Sequence, residues 1–159
     1  TVPDSRIDPL VKMYSAPTTV PARMEVVDIP GIKSGSTASG GRGSKLLGHI
    51  KDVDAIIHVV RCFDDDSQPS EYDTIDPARD VETIDLEMVV ADAQTVQNKI
   101  DRIATKAKSG DADAKRDLAG REAVQAGLDA GTPARKLDLA ERDIQSVLDC
   151  NLVSLKPVM

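Results

Sequence analysis

Aromatic side chains are nearly missing from this chain of 159 residues, which has no tryptophan, one phenylalanine and two tyrosines, 2% in all. Its core therefore has to be filled by Val, Ile, Leu and Ala, and at 40% apolar residues there is enough material for one. No run of 18 apolar residues occurs, so no helix is expected to span a membrane. Cysteine is scarce too. Cys62 and Cys150 are unclustered and no secretory signal precedes them, which points to reduced thiols in the cytoplasm. The two histidines, His49 and His58, have no Cys or carboxylate at ligand spacing, which argues against zinc. A net charge of −7 argues against a surface that binds polyanions everywhere. The chain opens on Thr1 rather than Met and is expected to be cut from something longer.

What is present begins with Met24-Glu-Val-Val-Asp28-Ile-Pro-Gly31. Met24, Val26 and Val27, flanked by Pro21, Pro30 and Gly31, suit a short buried strand that ends in a turn. Such a strand delivers an aspartate and then a glycine into a loop, the arrangement that senses a nucleotide's γ-phosphate: Asp28 holds Mg²⁺ through water, and the N–H of Gly31 faces the terminal phosphate. The same pattern recurs as Asp117-Leu-Ala-Gly120 inside a charged helix, so the tetrapeptide alone fits a ligand-free turn equally well. The phosphate cradle G-x-x-x-x-G-K-[ST] occurs nowhere. Order along the chain is more specific. A loop at 35–43 rich in Gly and Ser is followed by a helical pattern with Leu46, Leu47 and Ile50, and then by Asp54 to Arg61, apolar on both faces as in a parallel sheet covered by helices.

The second half reads as helices. Asp76-Pro77 is a start, with Asp capping and Pro at the first helical position. Leu86, Val89, Ala93, Val96, Ile100, Ile103 and Ala107 then recur at spacings of three and four, a stripe expected to pack on a partner helix as a coiled coil. Ser109-Gly110-Asp111 ends it. A return helix over about 113–130 carries Ala114, Leu118, Val124 and Leu128, with Arg121 interrupting the seam. Gly120 and Gly127 weaken it by roughly 1 kcal/mol each against Ala, and on one face they are positioned to let the two helices approach closely. Asp138-Leu-Ala-Glu141 has the form of a capping box opening a third helix with Ile144, Val147 and Leu148 inward, and 152–159 return as a strand.

Several of these segments together resemble the Obg-like ATPases of the YchF type. Val2-Pro-Asp-Ser-Arg-Ile-Asp8 is similar to the family's V-P-D-x-R-hydrophobic-D segment, and Glu25-Val-Val-Asp-Ile-Pro-Gly31 to its D-I-A-G-L sensor. Gly43-Ser-Lys-Leu-Leu47, His58-Val-Val-Arg-Cys-Phe63, Asp76-Pro-Ala-Arg-Asp-Val-Glu82 and Leu155-Lys-Pro-Val-Met159 match four further motifs in the family's order. The resemblance implies an α/β fold, part of a P-loop NTPase (Ras-like G domain) sheet with an inserted antiparallel α-helical coiled-coil hairpin. It divides the chain into a partial nucleotide domain with switch II (1–75), the helical insert (76–150) and a returning strand (151–159). It implies hydrolysis of ATP, or GTP, with Mg²⁺ in the intact protein, Asp28 as the metal carboxylate, Gly31 and Gly35 at the nucleotide, and association with the ribosome.

Two departures bear on catalysis. Ras-like enzymes orient the attacking water with a glutamine after the sensor glycine, and here that residue is Ile32; the family shares the replacement, which predicts slow hydrolysis unless a partner completes the site. The family's loop histidine is replaced by Ser70. Asp64, Asp65 and Asp66 follow a strand end, but consecutive carboxylates read as a solvated loop, not a calcium site.

Between residues 99 and 121, seven basic residues stand against four acidic ones. Lys106, Lys108, Lys115 and Arg116 at the hairpin tip are the candidate contacts to ribosomal or other RNA phosphate, with a solvated face of mixed charge as the alternative, since no aromatic is there to stack on bases. The competing reading of the whole chain is a non-catalytic coiled-coil module that binds a protein or RNA partner.

Overall fold

The computed structural model describes residues 1–29, 48–65, 67, 72 and 74–159. The chain divides into two compact units, Thr1–Pro30 and Gly31–Met159.

In the first unit, helix α1 (Ile7–Tyr14) is bounded by Ser15 in the left-handed region at φ 46° and buries none of its residues. The Val2 N–H donates to the Ala22 carbonyl at 2.8 Å, closing the segment around the helix. The buried strand expected over 24–28 is not formed. Met24, Val26 and Val27 are exposed, the two valines by 70% and 61%. A strand is held by ladder hydrogen bonds to a neighbour and by cover on its faces, and an eight-residue helix with no buried side chain supplies neither.

The second unit is built on two long helices. Asp76 caps α2 (Pro77–Lys108), its Oδ1 accepting from the Arg79 N–H at 3.1 Å with Pro77 in the first turn, as the sequence predicts. Gly110, at φ +100°, makes the reversal that a side chain would oppose. Asp111 then caps α3 (Ala112–Asp129) by accepting from the N–H groups of Asp113 and Ala114. Along the predicted stripe Val89, Val96 and Ala107 are buried and Ala93, Ile100 and Ile103 are partly so, while Leu86 stays 54% exposed.

The chain then folds back against the hairpin through a 3-10 turn (Ala134–Lys136), α4 (Glu141–Val147) and a second 3-10 turn (Leu148–Cys150). Val89 and Val96 of α2, Val124 and Leu128 of α3, and Ala134, Val147, Cys150 and Leu152 of the return form one apolar core with no aromatic member. This third layer corrects three expectations. The glycines of α3 make room for it and not for α2: a Cβ on Gly120 would lie 2.5 Å from Ser146 Oγ, and one on Gly127 would run into the Leu137 side chain. The capping box is absent, because α4 begins after Ala140 with no side-chain cap. Leu148 points outward at 56% exposure, since the turn that begins there tightens from α-helix to 3-10 and rotates it off the buried face.

No strand is assigned among the described residues, and the expected sheet is represented by one parallel bridge, Ile56 with Val158. It is held by Ile56 N–H to Pro157 O at 2.9 Å, Met159 N–H to Ile56 O at 3.0 Å and His58 N–H to Met159 O at 2.9 Å. The returning segment thus pairs only over its last residues, because 153–156 turn first. Residues 54–61 are not covered on both faces: Ile57 and Val59 are exposed by 56% and 89% while Ile56, His58 and Val60 alternate inward.

The return is anchored on α2 by Asp92, which is fully buried. Its Oδ1 accepts from the Val153 N–H at 3.0 Å and its Oδ2 from the Ser154 N–H at 2.6 Å, while Ser154 Oγ accepts from the Ala134 N–H at 3.1 Å. Asp92→Ala would strand two buried donors and is expected to lower stability by about 3 kcal/mol, measured by urea unfolding.

Candidate functional site

Asp28 is exposed, and its carboxylate makes no hydrogen bond or ion pair among the described residues. Gly31, Ile32 and Gly35, with Asp66 and Ser70, lie outside the described residues, as does the loop at 35–43. Past the paired segment, Arg61 fastens the turn that follows: its Nε donates to Phe63 O at 2.9 Å and its Nη2 to Asp65 O at 2.8 Å, with the guanidinium 5.4 Å from the Phe63 ring centroid. Asp65 Oδ1 accepts from Ser67 Oγ at 2.6 Å and from the Ser67 N–H at 2.9 Å, and these bonds hold its carboxyl below the ordinary range. That oxygen is thereby committed to the turn. No group of three or more His, Cys, Asp or Glu suited to a metal ion occurs among the described residues.

The hairpin tip carries Lys106 and Lys108 in the last turn of α2 and Lys115 and Arg116 near the start of α3, all exposed. Arg116 is 3.3 Å from Asp113, an exposed pair worth little. The structure narrows the charge found by counting. Lys99 and Arg121 do not belong to the tip: both bind Asp149 in the return segment, at 2.8 and 3.1 Å, and Arg121 is 7% exposed. The residue that interrupts the apolar seam is therefore an interior tie. Burial alone would push the Asp149 carboxyl up, but Lys99 and Arg121 together bring it below the ordinary range. Cys150 beside it is buried, and burial with the adjacent Asp149 charge raises its thiol to about 11, which makes it unreactive.

Two more acids on α2 escaped the sequence reading. Asp85 is buried between Arg135 and Lys136; desolvation raises its carboxyl, the two cations outweigh it, and the net is a lowering. Asp92 shifts upward because desolvation exceeds the effect of its Ser154 and Val153 bonds. The sequence did hold a signal for Asp92, an acid three residues after Val89 and four before Val96, on the buried stripe itself.

No family model matches the chain. Curated proteins do. It is 37% identical over 158 residues to the ribosome-binding ATPase YchF of Pasteurella multocida, covering 99% of this chain and 44% of that protein. The figures for the YchF of Bacillus subtilis are 37%, 99% and 43%, and for Obg-like ATPase 1 of Oryza sativa subsp. indica 38%, 99% and 40%. Among solved structures, the YchF GTPase of Schizosaccharomyces pombe superposes with a TM-score of 0.76 at 32% identity, over 99% of this chain and 43% of that one. A described part that is mostly helical, with one parallel bridge, is consistent with a segment of a P-loop nucleotide hydrolase. Within that class, the chain is a homologue of the Obg-like ATPases of the YchF type, and it spans less than half the length of these relatives. No helix among the described residues is long and apolar enough to cross a membrane.

The opposed shifts predict a pH signature. The lowered carboxyl of Asp85 contributes stability that is fully present above its unfolded value and lost as pH falls through the folded one. The raised carboxyl of Asp92 does the reverse, contributing most below its unfolded value and losing it as pH rises through the folded one. Urea unfolding across an acid pH series should show Asp85→Asn less stable than wild type at neutral pH, with the gap closing as pH falls below the ordinary aspartate range.

Proposed function

We propose that this chain is the switch II side and helical insert of an Obg-like ATPase that acts in the cytoplasm, binding and hydrolysing ATP, or GTP, in the intact protein. The observation that carries the reading is the 37% identity spread over 99% of the chain to proteins named ribosome-binding ATPases. The motifs in their order along the sequence support it.

Within that reading Asp28 would hold Mg²⁺, and an exposed carboxylate with no partner among the described residues fits the role: magnesium keeps several waters and needs one or two carboxylates beside the substrate phosphates. When bound, the ion offsets charge on the transferring phosphoryl group. Gly31 and Gly35, which lie outside the described residues, are the proposed nucleotide contacts, Gly31 through the amide that would face the terminal phosphate. Ile32 offers no hydrogen bond to the attacking water, so hydrolysis is slow until another group positions that water. The helical insert is the ribosome-facing part: Lys106, Lys108, Lys115 and Arg116 contact RNA phosphate from the hairpin end.

Fluorescent ATP titrated with Mg²⁺ into a chain extended through an upstream P-loop should bind, and Asp28→Ala should remove that binding; an extended chain that ignores nucleotide refutes the hydrolase reading. In the same protein, reversing Lys106, Lys108, Lys115 and Arg116 to Glu should weaken ribosome association and flatten its log–log salt dependence by about 3. Unchanged sedimentation with ribosomes would remove the tip from the interface.

A further inference from the structure

The last residues of the chain grip the segment that follows the loop at 35–43. Residues 48–51 are helical, with Ile50 buried at 4% exposure, and the carbonyls that close this turn are taken by two side chains from a hundred residues further on. Asn151 Nδ2 donates to Lys51 O at 2.8 Å. Lys156 Nζ donates to the same carbonyl at 3.0 Å and to Val53 O at 2.7 Å, and lies 3.4 Å from Asn151 Oδ1. An ammonium has three protons, and all three are engaged. Cationic capping of this kind suits the negative carbonyl end of a helix. Asn151 sits at φ 48°, ψ 58°, the left-handed region that asparagine enters more readily than most residues with a side chain.

The same short stretch holds the hairpin. Asp149, two residues before Asn151, binds Lys99 of α2 and Arg121 of α3. Val153 and Ser154, between Asn151 and Lys156, give their N–H groups to Asp92 of α2. Residues 149–156 are thus bonded to 51–53 by one set of groups and to both long helices by another, with no free linker between the two sets.

We propose that Asn151 and Lys156 form a strut that couples the segment at 48–53 to the helical hairpin, so that the nucleotide state sensed upstream changes the hairpin. This rests on the nucleotide hydrolase reading above. Free energy passes between two sites when both bias the same element, and 149–156 is hydrogen-bonded to each. Lys156 and Asn151 act here as positioning residues that touch neither nucleotide nor RNA.

The test uses the full-length protein with a non-hydrolysable ATP analogue and Mg²⁺, reading nucleotide affinity by titration and amide hydrogen exchange in α2 and α3. In wild type the analogue should change exchange in the hairpin. Lys156→Met and Asn151→Gly, the latter keeping the left-handed backbone available, should retain nucleotide affinity and lose that change, and Lys156→Arg should restore it. A hairpin response that survives in both variants, or one absent from wild type that binds nucleotide, overturns the coupling alone. A wild-type protein that binds no nucleotide overturns the hydrolase reading and the coupling with it. Should Lys156→Met fail to fold, Asn151→Gly carries the comparison.

Discussion

A carboxylate placed where no water reaches must find donors in the protein, and Asp92 finds them in the backbone of Val153 and Ser154. The geometry of the second unit follows from that demand. To bring those two amides to the middle of α2, the chain leaving α3 has to turn at Ala134, cross as α4 and tighten through the 3-10 turn at Cys150. Along this path Ala134, Val147, Cys150 and Leu152 close the apolar core over Val89, Val96, Val124 and Leu128. Ser154 extends the tie by accepting from the Ala134 N–H, so the start and end of the return are fixed to one another.

Charge is distributed in keeping with this frame. The two ionic clusters, Asp85 with Arg135 and Lys136, and Asp149 with Lys99 and Arg121, both join the long helices to the returning chain. Such pairs contribute less to net stability than to fixing which partner meets which: at the buried Asp85 desolvation consumes much of the attraction, and at the half-exposed Asp149 water screens it. Here they hold one register of the return against the hairpin. Among the described residues, the cations at the far end of the hairpin make none of these ties to the returning chain, and Arg116 has only its exposed pair with Asp113.

The hairpin was legible along the chain. Asp76-Pro77, Ser109-Gly110-Asp111 and the three-and-four spacing of the stripe placed both long helices within a residue or so of where they lie. The family was legible as motifs, whose order the homologues bear out, and within that order Asp28 and Gly31 were legible only as candidates. The strands were a different matter. Apolar runs at 24–28 and 54–61 look like strands because their side chains suit a sheet, yet a strand takes its hydrogen bonds from a neighbour that the run itself does not name.

What the sequence by itself determined were features whose cause lies within a few residues: the Asp76 cap, the break at Gly110, helical periodicity, the tip's positive charge and the motif order that identifies the relatives. Only the tertiary structure decided that Arg121 ties inward to Asp149, that Gly120 and Gly127 admit the return in place of α2, and that Asp92, Asn151 and Lys156 are fastening points. The physical reason is range. A cap finds its partner within one turn, whereas a buried acid or a lysine closing a distant turn acquires its meaning from donors and acceptors that folding brings from 60 to 100 residues away.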